Sequence, residues 1–454
     1  MIDAVELAER ALRAASGDEA EAVVHVERSG LARFAGAEVH QPTLIENAAV
    51  QVRVIRDSRV GVATGNRLDD DSLRELAGRA AAAADAAPPD PDFPGPAPAA
   101  SIPDVEAYDD ETASLGADEQ AHLAGELIAA AGGFGLYGFF TSGVSSVAVA
   151  SSTGLRVEQS MTDATALALA AAEGASAYAE RTSWRVGELD PTEVAREAVE
   201  KAGRTLGAVA AEPAPYRAVL EPYAFAELLQ TFAIDSFSGL GLLEERSFAC
   251  GRLGSRAFDE KITIVDDALD PRGLPKAFDF EGSAKQRVEL VDAGVLRGAV
   301  WDRESAARAG DGHASTGHAP PWSLIHWGPM PLALVVAPGK AVSTDALVDA
   351  VGDGIYVTRL HYLSIVQPRE GVITGMTRDG TFRIRGGKLA EPLVNLRFTV
   401  SVPELLADVP ALSRETMLVN QSPFYDERYP FGAIVPALAT ARFYVTGVGA
   451  APGI

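Results

Sequence analysis

The chain has 454 residues, 47% hydrophobic and 22% charged, which is apolar material for more than one core, so two domains are expected. Its formal net charge of -24 is spread along the chain without clustered Lys and Arg, which argues against nucleic acid and anionic membrane surfaces as partners. A single cysteine, Cys250, excludes an intrachain disulfide and any CxxC-type zinc or redox site.

The first residues, MIDAVELAERALRAASGDEA, space Ile2, Val5, Ala8 and Leu12 for an amphipathic helix capped by Asp3. They are acidic where a secretory leader needs a basic segment. No apolar run reaches the roughly 20 residues that span a bilayer, so no membrane partner and a cytoplasmic location are expected. Next come AVVHVERSG and ENAAVQVRVIRDSRVGVATGN, where Val50, Val52 and Val54 alternate with polar residues and Asp57-Ser58 turns the chain back as a hairpin. DDDSLRELAGRAAAAADAA reads as a helix with acidic residues at its favourable end.

The proline-rich stretch 88–104 suits neither helix nor central strand and reads as an extended surface excursion. Beyond it follow a helix in ADEQAHLAGELIAAAGG, strands in FGLYGFFTSG, SSVAVASSTGLRVEQS and TALALAAAEG, and a helix beginning near Pro191. EPAP, residues 212–215, marks the expected boundary between a 1–211 domain and a 212–454 domain. The second domain opens with a strand, YRAVLEP, and a helix, AFAELLQTFAIDSF. It then turns mostly to strands, with hairpin turns expected at Asp379-Gly380 and Gly386-Gly387. The fold class is therefore α+β: an N-terminal α/β domain with a mixed or antiparallel sheet, and a C-terminal, mostly β domain with one or two helices.

Chemistry-bearing motifs are scarce. No GxSxG elbow, GxxxxGK[ST] loop or GxGxxG after a strand occurs. Cys250 in ERSFACGRLG has no surroundings that would activate it and reads as a packing residue. A helix after YRAVLEP is where a zinc peptidase could carry ligands and a general base, yet AFAELLQTFAIDSF holds no histidine. Three of the seven histidines, His313, His318 and His326, cluster in GDGHASTGHAPPWSLIHW, which its Gly and Pro content makes a loop. They leave three readings open: histidines bonded to backbone in an ordered loop, a ligand-contacting loop, or a metal site.

ENAAVQVRVIRDSRVGVATGN, SSTGLRVEQSMTDA, SFACGRLGSRAF, HASTGHA, GDGIYVTRLHYLSIVQPREGVITGMTRDGTF and RGGKLAEPLVNLRFT, in this order, resemble the TldD/PmbA family, once called modulators of DNA gyrase. The resemblance implies a zinc metallopeptidase complex in which a TldD-type chain holds zinc through an HExxxH helix and a C-terminal cysteine, and a TldE/PmbA-type chain lacks both. Here the HExxxH segment reads AELLQTF and the cysteine segment reads QSPFYDERYPFG, so the chain resembles the TldE/PmbA type. It departs from the family where TGMTRDGTFRIRGG replaces the usual TGDFSxG to GFWIENG pattern.

The same resemblance places Ser315, Thr316, Gly317, His318 and His361 near a peptide cleft and assigns no catalytic residue or cofactor to this chain, with zinc expected in a TldD-type partner. Two other readings remain. One is a homodimeric scaffold that binds a peptide or ligand without cleaving it; the other is an independent hydrolase using His313, His318 and His326 with a metal.

Overall fold

The structure, a computed structural model, describes residues 2–36, 38–310, 312–422 and 427–450. Asp311 and the PFYD of QSPFYDERYPFG lie outside the described residues. The fold is α+β, built on two sheets.

The first sheet has strands β1 (Glu19–Gly36), β2 (Glu38–Arg56), β3 (Arg59–Gly65), β4 (Gly135–Ser151), β5 (Arg156–Ala172) and β6 (Ala175–Ser183) in the order β3-β2-β1-β4-β5-β6. Every pairing is antiparallel. The β2–β3 turn is the expected Asp57-Ser58 hairpin, with φ of 47° and 59°, the two left-handed residues that a tight two-residue turn needs. The three strands read between residues 134 and 174 are two long ones, β4 and β5. Gly143 does not break β4. It lets β4 approach its neighbours, because a Cβ there would lie 2.6 Å from Ser29 Cβ and 2.9 Å from Arg428 Nε.

Both faces of this sheet are buried. Even-numbered side chains of β1, β2 and β4, including Ala22, Val24, Val50, Val52, Val54, Ala148 and Ala150, pack against α1 (Ala4–Ala14) and α2 (Asp70–Ala86). After the short α3 (Asp110–Ser114), the helices α4 (Ala117–Ala129) and α5 (Pro191–Arg204) cover the rest of that face over Phe34, Leu136, Phe140, Ala166 and Ala168. The helices start where expected, with Asp3, Asp69 and Asp190 accepting backbone N–H bonds at the ends of α1, α2 and α5. The opposite face, with Val23, Val147, Val149 and Met161, packs against Phe278, Phe280, Met330 and Tyr429 of the C-terminal half.

That half begins with β7 (Pro215–Leu220) and α6 (Pro222–Ser236), followed by β8 (Ile264–Asp266), β9 (Val288–Asp292), β10 (Val295–Leu296) and β11 (Leu334–Val336). Then come β12 (Gly354–Gln367), β13 (Val372–Arg385), β14 (Lys388–Leu393), β15 (Leu396–Ser401), β16 (Ala411–Asn420) and β17 (Gly432–Val448). Strands β7, β12, β13, β15 and β17 pair in a ring, because β7 bonds both β12 and β17, and so form a closed barrel. Gly386-Gly387 is the expected turn between β13 and β14. Asp379-Gly380 is not a turn. It lies inside β13 with φ of 55° and 122°, a local irregularity that sends the Asp379 carboxylate into the interior.

The proline-rich excursion has no regular structure, but it is anchored. Arg303 Nη2 donates to the carbonyls of Pro94, Gly95 and Pro96, and Phe93 lies under the Arg53 guanidinium. Among the described residues no helix is long and apolar enough to cross a membrane.

A close backbone contact between helix and sheet is at Gly61 on β3, where a Cβ would fall 2.1 Å from Ala80 O and 2.2 Å from Ala84 N of α2. The variant Gly61→Ala forces backbone apart and should lose about 2 kcal/mol in urea unfolding. An unchanged midpoint would mean that α2 does not sit this close to β3.

Candidate functional site

Where the first sheet meets the C-terminal half, the buried face carries polar side chains at alternate positions: Glu21, His25, Glu27 and Ser29 on β1, Arg53 on β2, Ser145 on β4, Asp163 on β5, and Ser176, Tyr178 and Glu180 on β6. Strand periodicity puts them on one side, where some pair within the sheet, as Arg53 with Glu21 and Tyr178 with Glu180, and the C-terminal half satisfies others. Arg428 does much of this. Its guanidinium donates to both oxygens of Asp163, at 2.8 and 2.7 Å, its backbone N–H donates to Glu27, and its carbonyl accepts from Ser145 Oγ and His25 Nε2. Beside it, Glu27, Ser29, Thr141, Asp163 and Asn420 line a cavity of about 160 Å³.

The second part of the seam surrounds α6, which is buried on nearly every side. Tyr223 Oη lies between Glu180, Arg181 and Glu197. Lys201 Nζ donates to Glu197 and to Glu221, whose other oxygen accepts from Tyr356. Arg359 stacks over Tyr178 at 3.9 Å and donates to Asp379, which also accepts from Ser176. Glu227 of α6 has no such partner among the described residues, and burial raises its carboxyl to about 7 against the opposing charge of Arg359.

The polar side chains in the second half of α6 are Gln230, Thr231, Asp235 and Ser236. Gln230 Nε2 is bound to Pro331 O, Thr231 Oγ1 to Glu227 O, and Asp235 is ion-paired with Arg246. Zinc is held by imidazole, thiolate and free carboxylate, and these residues do not fit it. Among the described residues no three His, Cys, Asp or Glu side chains converge as metal ligands.

The three clustered histidines separate. His313 and His326 sit on the outside against Trp301 and Trp327, at 4.5 and 5.3 Å between ring centroids. His318 is buried, with Nε2 2.8 Å from Asp266 Oδ1 and Nδ1 2.9 Å from Thr316 Oγ1. A neutral ring donating to Asp266 and accepting from Thr316 satisfies both contacts, and burial together with the Lys285 ammonium pushes its pKa down.

Thr316 Oγ1 also accepts from Trp301 N at 2.7 Å, and Ser315 Oγ accepts from Gly317 N at 3.1 Å. Gly317 has φ of 76°, and a Cβ there would lie 2.3 Å from Ala284 O. Ser315 and Thr316 are half-buried, while Gly317 and His318 are buried. The fifth expected position, His361, lies on β12 opposite Met376, with its ring 3.9 Å from that of Tyr362. It shares no hydrogen bond or ring contact with the 315–318 loop among the described residues.

Sequence reasoning missed the seam. Its one available signal was that polar residues alternate along β1 and β6, and that pattern is the same one a solvated face would give.

A helix-covered sheet joined to a β-barrel across a charged interface, with no histidine or cysteine on the central helix, defines a two-part α+β protein. Residues 20–84, 98–206 and 213–447 match, in turn, the profiles of PmbA/TldA metallopeptidase domain 1, the central domain and the C-terminal domain. The chain belongs to the PmbA/TldD metallopeptidase family. Its fold is similar to that of TldE from Thermococcus kodakarensis, with a TM-score of 0.84 at 22% identity over 97% of this chain and 99% of that one.

Among curated proteins, it is 32% identical to an uncharacterized protein of Methanocaldococcus jannaschii over 37% of this chain and 39% of that protein. It is 25% identical to a metalloprotease of Methanothermobacter thermautotrophicus over 50% and 49%. The chain thus spans half or less of the length of these curated relatives.

The raised carboxyl of Glu227 has a readable consequence. A proton held more tightly in the fold than at the ordinary value of 4.5 stabilises the chain fully below that value, and the benefit is lost as pH rises through about 7. Glu227→Gln should therefore be more stable than the parent at pH 8, by about 2 kcal/mol, and the difference should shrink toward pH 5. Urea denaturation at the two pH values checks this, and a pH-independent difference would contradict it.

Proposed function

We propose that this chain is a non-catalytic, TldE-type subunit of a heterodimeric zinc metallopeptidase that cleaves peptides or unfolded chains. A TldD-type partner supplies zinc and the general base; this chain steadies it and lines part of the peptide cavity. One observation carries the reading. In a member of a metallopeptidase family, the helix after β7, where TldD-type chains carry HExxxH, reads AELLQTF with no histidine, and no histidine anywhere in the chain is followed by glutamate.

The similarity to the TldE fold supports the same assignment. Within this reading, the half-buried Ser315 and Thr316 belong to the peptide-facing surface and His318 is a positioning residue behind them. His361 on β12 is the further residue expected to face the cavity.

Co-expression with a TldD-type chain tests the proposal. A stable one-to-one complex with zinc and peptidase activity is the expected result, while this chain purified alone should hold no stoichiometric zinc by elemental analysis. Stoichiometric zinc lost on His318→Ala would favour an independent hydrolase instead. Tight self-association with no gain in activity beside any TldD-type chain would favour a homodimeric scaffold.

A further inference from the structure

Strand β2 is longer than the strand that covers it. It pairs with β1 along nearly its whole length, but β3 pairs only with Val50–Arg56, so over residues 39–49 the outer edge of β2 has no partner among the described residues. An open edge offers its N–H and C=O groups to another extended chain. This one is also flanked by a hollow on each face of the sheet.

Gln41, Thr43 and Ile45 line the cavity of about 160 Å³ on the seam side. Leu44 and Glu46 line a groove of about 670 Å³ on the other, together with Arg28 and Gln120. Leu44 is 68% exposed, which leaves an apolar contact for whatever lies there. Successive side chains of an added strand point to opposite faces, so they would enter the two hollows in alternation.

The charge of the seam-side cavity selects among strands. Asp163 is neutralised by the two-pronged bond from Arg428. Glu27 is 6% exposed and accepts from Ser29 Oγ at 2.5 Å and Arg428 N at 3.3 Å, but it has no ion-pair partner among the described residues. A carboxylate so placed, in the wall of a cavity that opens beside a free strand edge, is complementary to a cation supplied from outside. Pro42 removes one N–H from the same stretch, which discourages continuous pairing with a second copy and leaves a short segment for a short guest.

We propose that residues 39–47 of β2 bind an extended peptide segment by strand addition and that the cavity at Glu27 receives a lysine or arginine side chain of that segment. Main-chain bonds to β2 make the binding tolerant of sequence, and the Glu27 cavity adds a preference for one basic residue. The proposal deepens the reading of this chain as a peptide-handling subunit and rests on it.

The test uses the full chain without any partner and a fluorescein-labelled decapeptide of alternating threonine and valine with one central lysine, followed by fluorescence anisotropy. The lysine peptide should bind, and its central-glutamate counterpart should bind about tenfold more weakly or worse. Peptides N-methylated on alternate amides, in either phase, should lose binding where the methyl groups face β2. Glu27→Gln should bind the lysine and glutamate peptides alike, with its unfolding transition confirming an intact fold.

No binding of the lysine peptide, equal binding of the lysine and glutamate peptides to the unaltered chain, or indifference to N-methylation would each overturn the proposal. So would sedimentation showing a dimer that excess peptide does not dissociate, since the edge would then belong to a second copy. Because no TldD-type chain is present, failure here is separate from failure of the co-expression experiment.

Discussion

The chelate of Asp163 by Arg428 joins residues 265 positions apart across the interface of the two halves. The first sheet has helices on one face and the C-terminal half on the other, so none of its central strands has a solvated side. Polar side chains on the seam face are stable there because they find partners, some within the sheet, as Glu21 with Arg53, and others from the C-terminal half, as Asp163 with Arg428; an unmatched charge in such a place costs several kcal/mol. Arg428 matches several at once. His25, Glu27, Thr141, Ser145 and Asp163 all take part in bonds to its side chain or backbone. The seam therefore specifies how the halves meet as much as it holds them together, since a shifted docking would strand buried charges.

The same constraint shapes the 315–318 loop and α6. His318 ties Thr316 to Asp266, the last residue of β8, so a loop rich in small residues is held in one conformation with Ser315 and Thr316 at its surface. On α6, the AELLQTF stretch carries no histidine, Gln230 is bonded to backbone, and Asp235 further along is neutralised by Arg246. The helix keeps its central place in the fold while its polar groups serve packing.

Much of the architecture was legible in local chemistry. Asp caps, Gly-Gly and Asp-Ser turns and valine alternation act over a few residues, and α1, α2, α5, the β2–β3 hairpin and the β13–β14 turn follow from them directly. Two readings failed for one reason. Asp379-Gly380 has the composition of a hairpin turn, and Gly143 with its serine neighbours that of a break between strands. In both places the backbone is instead bent or thinned to meet a distant element: Asp379 reaches Arg359 and Ser176, and Gly143 leaves room for Ser29 and Arg428. Glycine signals a special backbone requirement, but it does not say whether the requirement is a turn or a close approach.

By itself the sequence determined the α+β class, many of the elements and their caps, and the absence of an HExxxH ligand set, because each depends on residue identity and short-range spacing. It did not give the short C-terminal helices Gly239–Leu243, Arg303–Ala309, Thr344–Val351 and Val402–Leu406 beyond the one or two expected. Only the tertiary structure decided which alternating polar residues are buried. Glu21, His25, Glu27 and Ser29 repeat with the period of a strand that faces water, and nothing local distinguishes that from a strand facing a second domain. It also decided that His313, His318 and His326 do not meet, and that residues 39–49 of β2 have no outer strand partner among the described residues. A free edge or a buried charge is a property of what packs alongside, and the strand's own residues do not encode it.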